Sequence, residues 1–153
     1  MAKIVEGGNA PEFELETAEG AIRSADFQGK TVVVYFYPKD DTPGCTNEAK
    51  DFSALAPDFA KAGVALVGVS KDSAKSHAKF TAKYGLAIPL GSDPEGKVVE
   101  AFESWVEKKL YGREYMGIDR STFLIQDGVI KRIWRKVKVA GHAQEVLGVA
   151  AAL

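Results

Sequence analysis

The sequence predicts an α/β fold, a sheet of mixed strand direction with helices on both faces. Three observations carry that expectation. Two runs rich in β-branched and aromatic residues, TVVVYFY over residues 31–37 and VALVGVS over 64–70, have the composition of strands buried on both faces. A helical pattern fills the interval between them. A third apolar run, STFLIQ at 121–126, turns through Asp127 and Gly128 into VIKRIW, and this hairpin signal makes the sheet mixed rather than purely parallel. At 153 residues, 46% hydrophobic and 27% charged, the chain suits one globular domain spanning 1–153 and excludes disordered, collagen-like and coiled-coil classes.

The elements follow in order. Gly7 and Gly8 mark a turn. Residues 13–17 and 21–27 alternate with period two around Glu19 and Gly20, which predicts an N-terminal β-hairpin. The strand at 31–37 stops at Pro38. Over 45–56, Cys45, Ala49, Phe52 and Ala56 recur at i, i+4, i+7 and i+11, one face of a helix, so Cys45 is expected to point inward. After the strand at 64–70, residues 73–84 group His77, Phe80, Thr81 and Tyr84 on one side of a second helix. Residues 95–105 form a shorter helical candidate, and residues 142–153, preceded by Gly141, close the chain as an Ala/Val/Leu-rich helix. The basic stretch KRIWRKVK at 131–138 reads as a charged edge strand, and the net charge of −1 argues against a nucleic-acid surface.

Counting narrows the chemistry. One cysteine excludes an internal disulfide, and with only two histidines no Cys/His zinc site is expected. Neither His77 nor His142 has a carboxylate at metal-ligand spacing, so both are read as helix-surface or capping residues. Asp40 and Asp41 are read as a solvated loop pair. Lys3 and Glu6 bracket no apolar segment and no later stretch reaches the length of a membrane span, so a cytoplasmic location without membrane contact is expected.

The chemically informative segment is YFYPKDDTPGCTNEAKDF at 35–52, which runs from a buried strand through a loop into a helix. Reaction sites of open α/β sheets collect at such strand ends. Thr42 suits the N-cap, Pro43 the first helical position, and Gly44 permits close backbone approach. Cys45 then falls in the first helical turn, where free amides and the helix dipole favour an anion, and the thiolate is the nucleophilic form of cysteine. The bland alternative is a small buried cysteine kept for packing.

The string YPKDDTPGCT, with its Pro38-x-x-x-Thr42-x-x-Cys45 spacing, resembles the active-site motif of peroxiredoxins, specifically the bacterioferritin comigratory protein or peroxiredoxin Q branch. NAPEFEL, GVSKDSAKSHAKF, PLGSDPEGKVVEAF, RSTFLIQDGVI and WRKVKVAGHAQEVL extend the likeness, in order, over nearly the whole chain. The resemblance implies a thioredoxin-like fold with a central mixed β-sheet flanked by helices and an N-terminal β-hairpin. It implies that Cys45 attacks a hydroperoxide and becomes a sulfenic acid, that Thr42 hydrogen-bonds the sulfur and the peroxide, and that Arg120 holds the thiolate and stabilises the leaving oxygen. Pro38 would shield the pocket, and Glu48 would orient an arginine through a carboxylate pair. No cofactor and no metal are implied.

One departure stands out. Many members of that branch carry a second, resolving cysteine, and here the corresponding positions hold Lys50 and Thr81. The expected activity is therefore a one-cysteine thiol peroxidase acting on hydrogen peroxide and organic hydroperoxides, a monomer or weak dimer regenerated by an external thiol such as thioredoxin, glutaredoxin or glutathione. The alternative is a peroxide sensor in which oxidation of Cys45 controls partner binding.

Overall fold

The computed structural model describes residues 4–153, so the Lys3 part of the N-terminal reading lies outside the described residues. The strands in chain order are β1 (Glu14–Thr17), β2 (Gly20–Arg23), β3 (Thr31–Phe36), β4 (Val64–Ser70), β5 (Leu90–Ser92), β6 (Trp105–Leu110), β7 (Arg113–Ile118), β8 (Ser121–Gln126) and β9 (Val129–Trp134) among the described residues. A seven-stranded sheet runs in the order β2-β1-β5-β4-β3-β8-β9, and β6 and β7 form a separate two-stranded sheet. At the centre is β3 (Thr31–Phe36), parallel to β4 (Val64–Ser70) and antiparallel to β8 (Ser121–Gln126). The Asp127-Gly128 turn, with φ of 47° and 77°, returns the chain into β9 (Val129–Trp134). This is the primed hairpin geometry that Asp-Gly favours. β9 is a sheet edge, as the basic run that begins at Lys131 and Arg132 predicts.

Period-two alternation along β3 divides the core. Val33 and Tyr35, with Tyr37 just beyond the strand, face Cys45, Ala49 and Phe52 of α1 (Pro43–Lys61) and Phe80 of α2 (Ala74–Tyr84). Ala143, Val146 and Ala150 of α4 (His142–Ala151) belong to the same core. Val32, Val34 and Phe36 face the other layer, which contains Val98 and Val99 of α3 (Lys97–Ala101), Phe102, and the N-terminal Phe13 and Leu15. Both faces of β3 are thus covered, which is why its sequence shows no polar alternation.

Several elements differ from the sequence expectation. The N-terminal hairpin is β1 (Glu14–Thr17) with β2 (Gly20–Arg23), and residues 24–27 leave the strand as a 3₁₀ turn. α1 starts two residues before Cys45 and continues past Pro57 to Lys61. Phe59 prolongs the Cys45, Ala49, Phe52, Ala56 face and is buried, and its packing outweighs the hydrogen bond Pro57 cannot donate. β5 (Leu90–Ser92) is too short to announce itself, yet it pairs with both β4 and β1. The candidate helix at 95–105 shrinks to α3, because Trp105 opens β6 (Trp105–Leu110), which turns at Tyr111 and Gly112 into β7 (Arg113–Ile118). Most of that hairpin is exposed on both faces, which erases the alternation that marks a half-buried strand.

Candidate active site

The chain leaves β3 at Phe36, crosses residues 37–42 and enters α1, with Thr42 at the N-cap and Pro43 at the first helical position. Cys45 is the third residue of the helix. Its amide and that of Gly44 have no intrahelical acceptor, whereas Thr46 already donates to the Thr42 carbonyl at 2.8 Å. The sulfur, on a residue only 2% exposed, therefore sits at the donor-rich, positive end of a 19-residue helix.

Arg120 arrives from the neighbouring strand. The antiparallel register opposes Ser121 to Phe36, which places the residue before β8 beside the point where β3 ends. From there the guanidinium forks: Nη2 donates to Cys45 Sγ at 3.3 Å and Nη1 donates to Glu48 Oε1 at 2.6 Å. Glu48 lies three residues after Cys45, so helical spacing brings both onto one face. Gly44 makes room for the arrangement, since a Cβ there would lie 3.2 Å from Arg120 Nη2. Burial opposes the charge of Arg120, but Glu48 and Cys45 together outweigh it and strengthen the guanidinium's hold on its proton. Burial pushes the Glu48 carboxyl up to about 7 against the pull of Arg120, and its Oε2 has no hydrogen-bond partner among the described residues. Chemically the site presents a sulfur facing a fixed cation, which suits a thiolate and an oxygen that gains charge as a bond to it breaks.

Three predicted residues thus meet at one point, Cys45, Arg120 and Glu48, with Gly44 against them. Thr42 occupies the N-cap position, but its single hydroxyl proton goes to the Lys39 carbonyl at 2.8 Å rather than to the sulfur. Pro38, expected to screen the pocket, is solvent-exposed where the chain leaves the sheet. The structure also corrects the readings of the histidines and the acidic pair. His77 and Asp40 are buried, and their side chains meet at 2.7 Å. Burial alone would raise the Asp40 carboxyl, but hydrogen bonds from His77, Tyr37 and Ser76 outweigh it and hold Asp40 below the usual carboxylate range. Asp41, the exposed half of the pair, bonds Lys83 and Tyr84 rather than standing free in solvent.

His142 is buried too. It bonds Thr122 at 2.8 Å and lies edge-on to Phe52 and Trp134. Burial lowers it to about 4, so it is neutral at pH 7. Asp40, Asp72 and His77 bring potential ligand atoms within 4.8 Å of one another, a grouping invisible as sequence spacing because the residues come from three segments. Those atoms already serve one another and nearby donors: Asp72 Oδ2 accepts from the Asp40 amide and the Ser70 hydroxyl, and Asp40 Oδ2 accepts from Ser76. The cluster is a hydrogen-bond network joining these three residues to Ser70 and Ser76. Lys108 on β6, which no motif flagged, lies near enough for Asp119, Arg120 and Cys45 to act on its charge, although burial is the larger influence and lowers it. A cavity of about 810 Å³ lined by Phe13, Phe27, Val32 and Ile125 lies at the opposite end of β3 and has no part in this constellation.

The model of the AhpC/TSA family matches residues 7–133. The chain belongs to that family, the peroxiredoxins. Among curated relatives, it is 48% identical over 143 residues to peroxiredoxin Bcp of Bacillus subtilis, covering 92% of this chain and 91% of that one. Peroxiredoxin Bcp of Xanthomonas campestris is 55% identical over 120 residues, 78% of this chain and 75% of its own. The solved structure of Xanthomonas campestris peroxiredoxin Q superposes with a TM-score of 0.87 at 48% identity, covering 92% of this chain and 90% of that one. Another structure of that organism's bacterioferritin comigratory protein is described in terms of alkyl peroxide reduction. These relatives place the chain in the Bcp or peroxiredoxin Q branch, with a thioredoxin-like fold and a single cysteine.

Proposed function

We propose that the protein reduces hydrogen peroxide and small organic hydroperoxides through Cys45 and is regenerated by an external thiol. The observation that carries this reading is the Arg120 fork, which holds one cation against both Cys45 Sγ and Glu48 at the amino end of α1. The thiolate attacks the terminal peroxide oxygen, the O–O bond breaks, and the two electrons of the new S–O bond come from sulfur. The product at Cys45 is a sulfenic acid, and the other oxygen departs as an alkoxide or hydroxide that takes a proton to leave as alcohol or water. Arg120 offsets the charge as that oxygen separates. With no second cysteine in the chain, an incoming thiol displaces water from the sulfenic acid to form a mixed disulfide, and a second thiol releases Cys45.

The test is the mass of the protein after one equivalent of peroxide, followed by turnover with glutathione and glutaredoxin or with thioredoxin. One oxygen atom added at Cys45, and sustained consumption with a donor, is the expected result. Cys45→Ser should abolish the reaction. Arg120→Met should slow the peroxide step by roughly 100- to 1,000-fold, the loss associated with one donor to a developing oxyanion. Stoichiometric oxidation without turnover under any thiol donor would instead favour the peroxide-sensing role. Undiminished peroxide consumption by Cys45→Ser would overturn both.

A further inference from the structure

The loop before α1 covers residues 37–42 and ends at Thr42, the N-cap of the helix whose third residue is Cys45. Asp41 within it has φ of 56°, a left-handed conformation that aspartate adopts more readily than most non-glycine residues. The loop is held largely by α2. Asp40 Oδ2 accepts from Ser76 Oγ at 2.7 Å and from His77 Nδ1 at 2.7 Å, while Oδ1 accepts from the Tyr37 hydroxyl at 2.5 Å. Asp41 accepts from Lys83 Nζ at 2.7 Å and from the Tyr84 hydroxyl at 2.5 Å. Four side chains of one helix therefore hold two consecutive loop residues.

His77 is the buried centre of this arrangement. Its side chain is 2% exposed and that of Asp40 is 5% exposed. The second ring nitrogen, Nε2, faces the Gly91 carbonyl of β5 at 3.1 Å. Each ring nitrogen therefore faces an oxygen that accepts, the Asp40 carboxylate on one side and a backbone carbonyl on the other. The ring is pinned at both ends, to the sheet and to the loop.

Resting on the peroxidase reading above, we propose that His77, acting through Asp40, is a positioning residue for peroxide reduction: it fixes the loop that sets Thr42 at the N-cap of the helix carrying Cys45. His77 does not touch the sulfur. Cys45 itself is held independently by the packing of α1, where Ala49 and Phe52 sit in the same core. Thr42 is held by the loop, through its bond to the Lys39 carbonyl next to Asp40. Loss of the His77–Asp40 pair would therefore displace the groups that surround a bound peroxide while leaving the thiol in its place. A displacement of about 1 Å in such groups is enough to cost roughly 100-fold in rate.

The experiment compares two reactions of Cys45 in His77→Leu: the second-order rate with hydrogen peroxide, which needs the surrounding groups, and alkylation by iodoacetamide, which needs only an accessible thiolate. The peroxide rate is expected to fall by roughly 10- to 100-fold, with alkylation within a factor of about three of wild type. Adding Asp40→Asn to His77→Leu should produce no further loss, since the two act as one unit. A folded His77→Leu protein that reacts with peroxide within about twofold of wild type would overturn the proposal, as would a parallel fall in both reactions. If His77→Leu does not fold, Asp40→Asn, which preserves the shape of the side chain, is judged by the same two rates. Failure of wild-type Cys45 to react with peroxide would refute the peroxidase reading instead, a separate result.

Discussion

Gly44→Ala should separate activity from stability in opposite directions. The added methyl would stand 3.2 Å from Arg120 Nη2 and 3.8 Å from Cζ, so the guanidinium must retreat by a few tenths of an ångström. The bond it then loses or lengthens is the 3.3 Å donation to Cys45 Sγ. Hydrogen bonds to charged groups contribute about 1.5–3 kcal/mol, so a complete loss slows the peroxide step by roughly 10- to 100-fold and a partial one by less. Meanwhile alanine is the better helix former by up to about 1 kcal/mol, and position 44 lies in the first turn of α1 with no positive φ to forbid a side chain. The expected phenotype is a slower enzyme of equal or greater stability. Stopped-flow oxidation of Cys45 and urea unfolding measure the two quantities. In an Arg120→Met background the alanine should have no further kinetic effect, because the group it displaces is gone. A Gly44→Ala protein that reacts at the parent rate would refute the claim that this glycine exists to admit the guanidinium.

Two further predictions concern pH. Glu48 is raised to about 7 from 4.5, so the folded state holds the extra proton between those values, and the group's contribution to stability falls as pH rises through that window. Glu48→Gln should therefore gain stability relative to wild type from pH 4.5 to 7, read by urea midpoints at fixed salt; parallel curves for the two proteins would contradict the burial argument. His142 has the opposite sign. Lowered from 6.5 to about 4, it leaves the unfolded chain as the proton-rich state, so stability is lost as pH falls from 6.5 towards 4. His142→Gln should flatten that acid limb, and an unchanged limb would place its cause elsewhere.

Much of the fold and part of the site were legible in the sequence because their causes are local. A strand covered on both faces needs an unbroken apolar run, and residues 31–37 show one. Thr-Pro-Gly before Cys45 specifies a helix start, Asp-Gly at 127–128 specifies a tight hairpin, and the interval from Cys45 to Glu48 places both on one helical face. Other decisions belong to the packed molecule alone. His77 reads as a surface residue of its helix until the end of β3, the loop after it and β5 close around the ring, joining positions 37 and 14 residues away. Arg120 reaches Cys45 across 75 residues only because β8 registers against β3 with Ser121 opposite Phe36. The β6–β7 hairpin left no periodic trace, since a ribbon exposed on both faces has no buried side to encode. Periodicity and capping report interactions within a few turns of chain, whereas burial and charge pairing are set by which distant segments the sheet brings side by side.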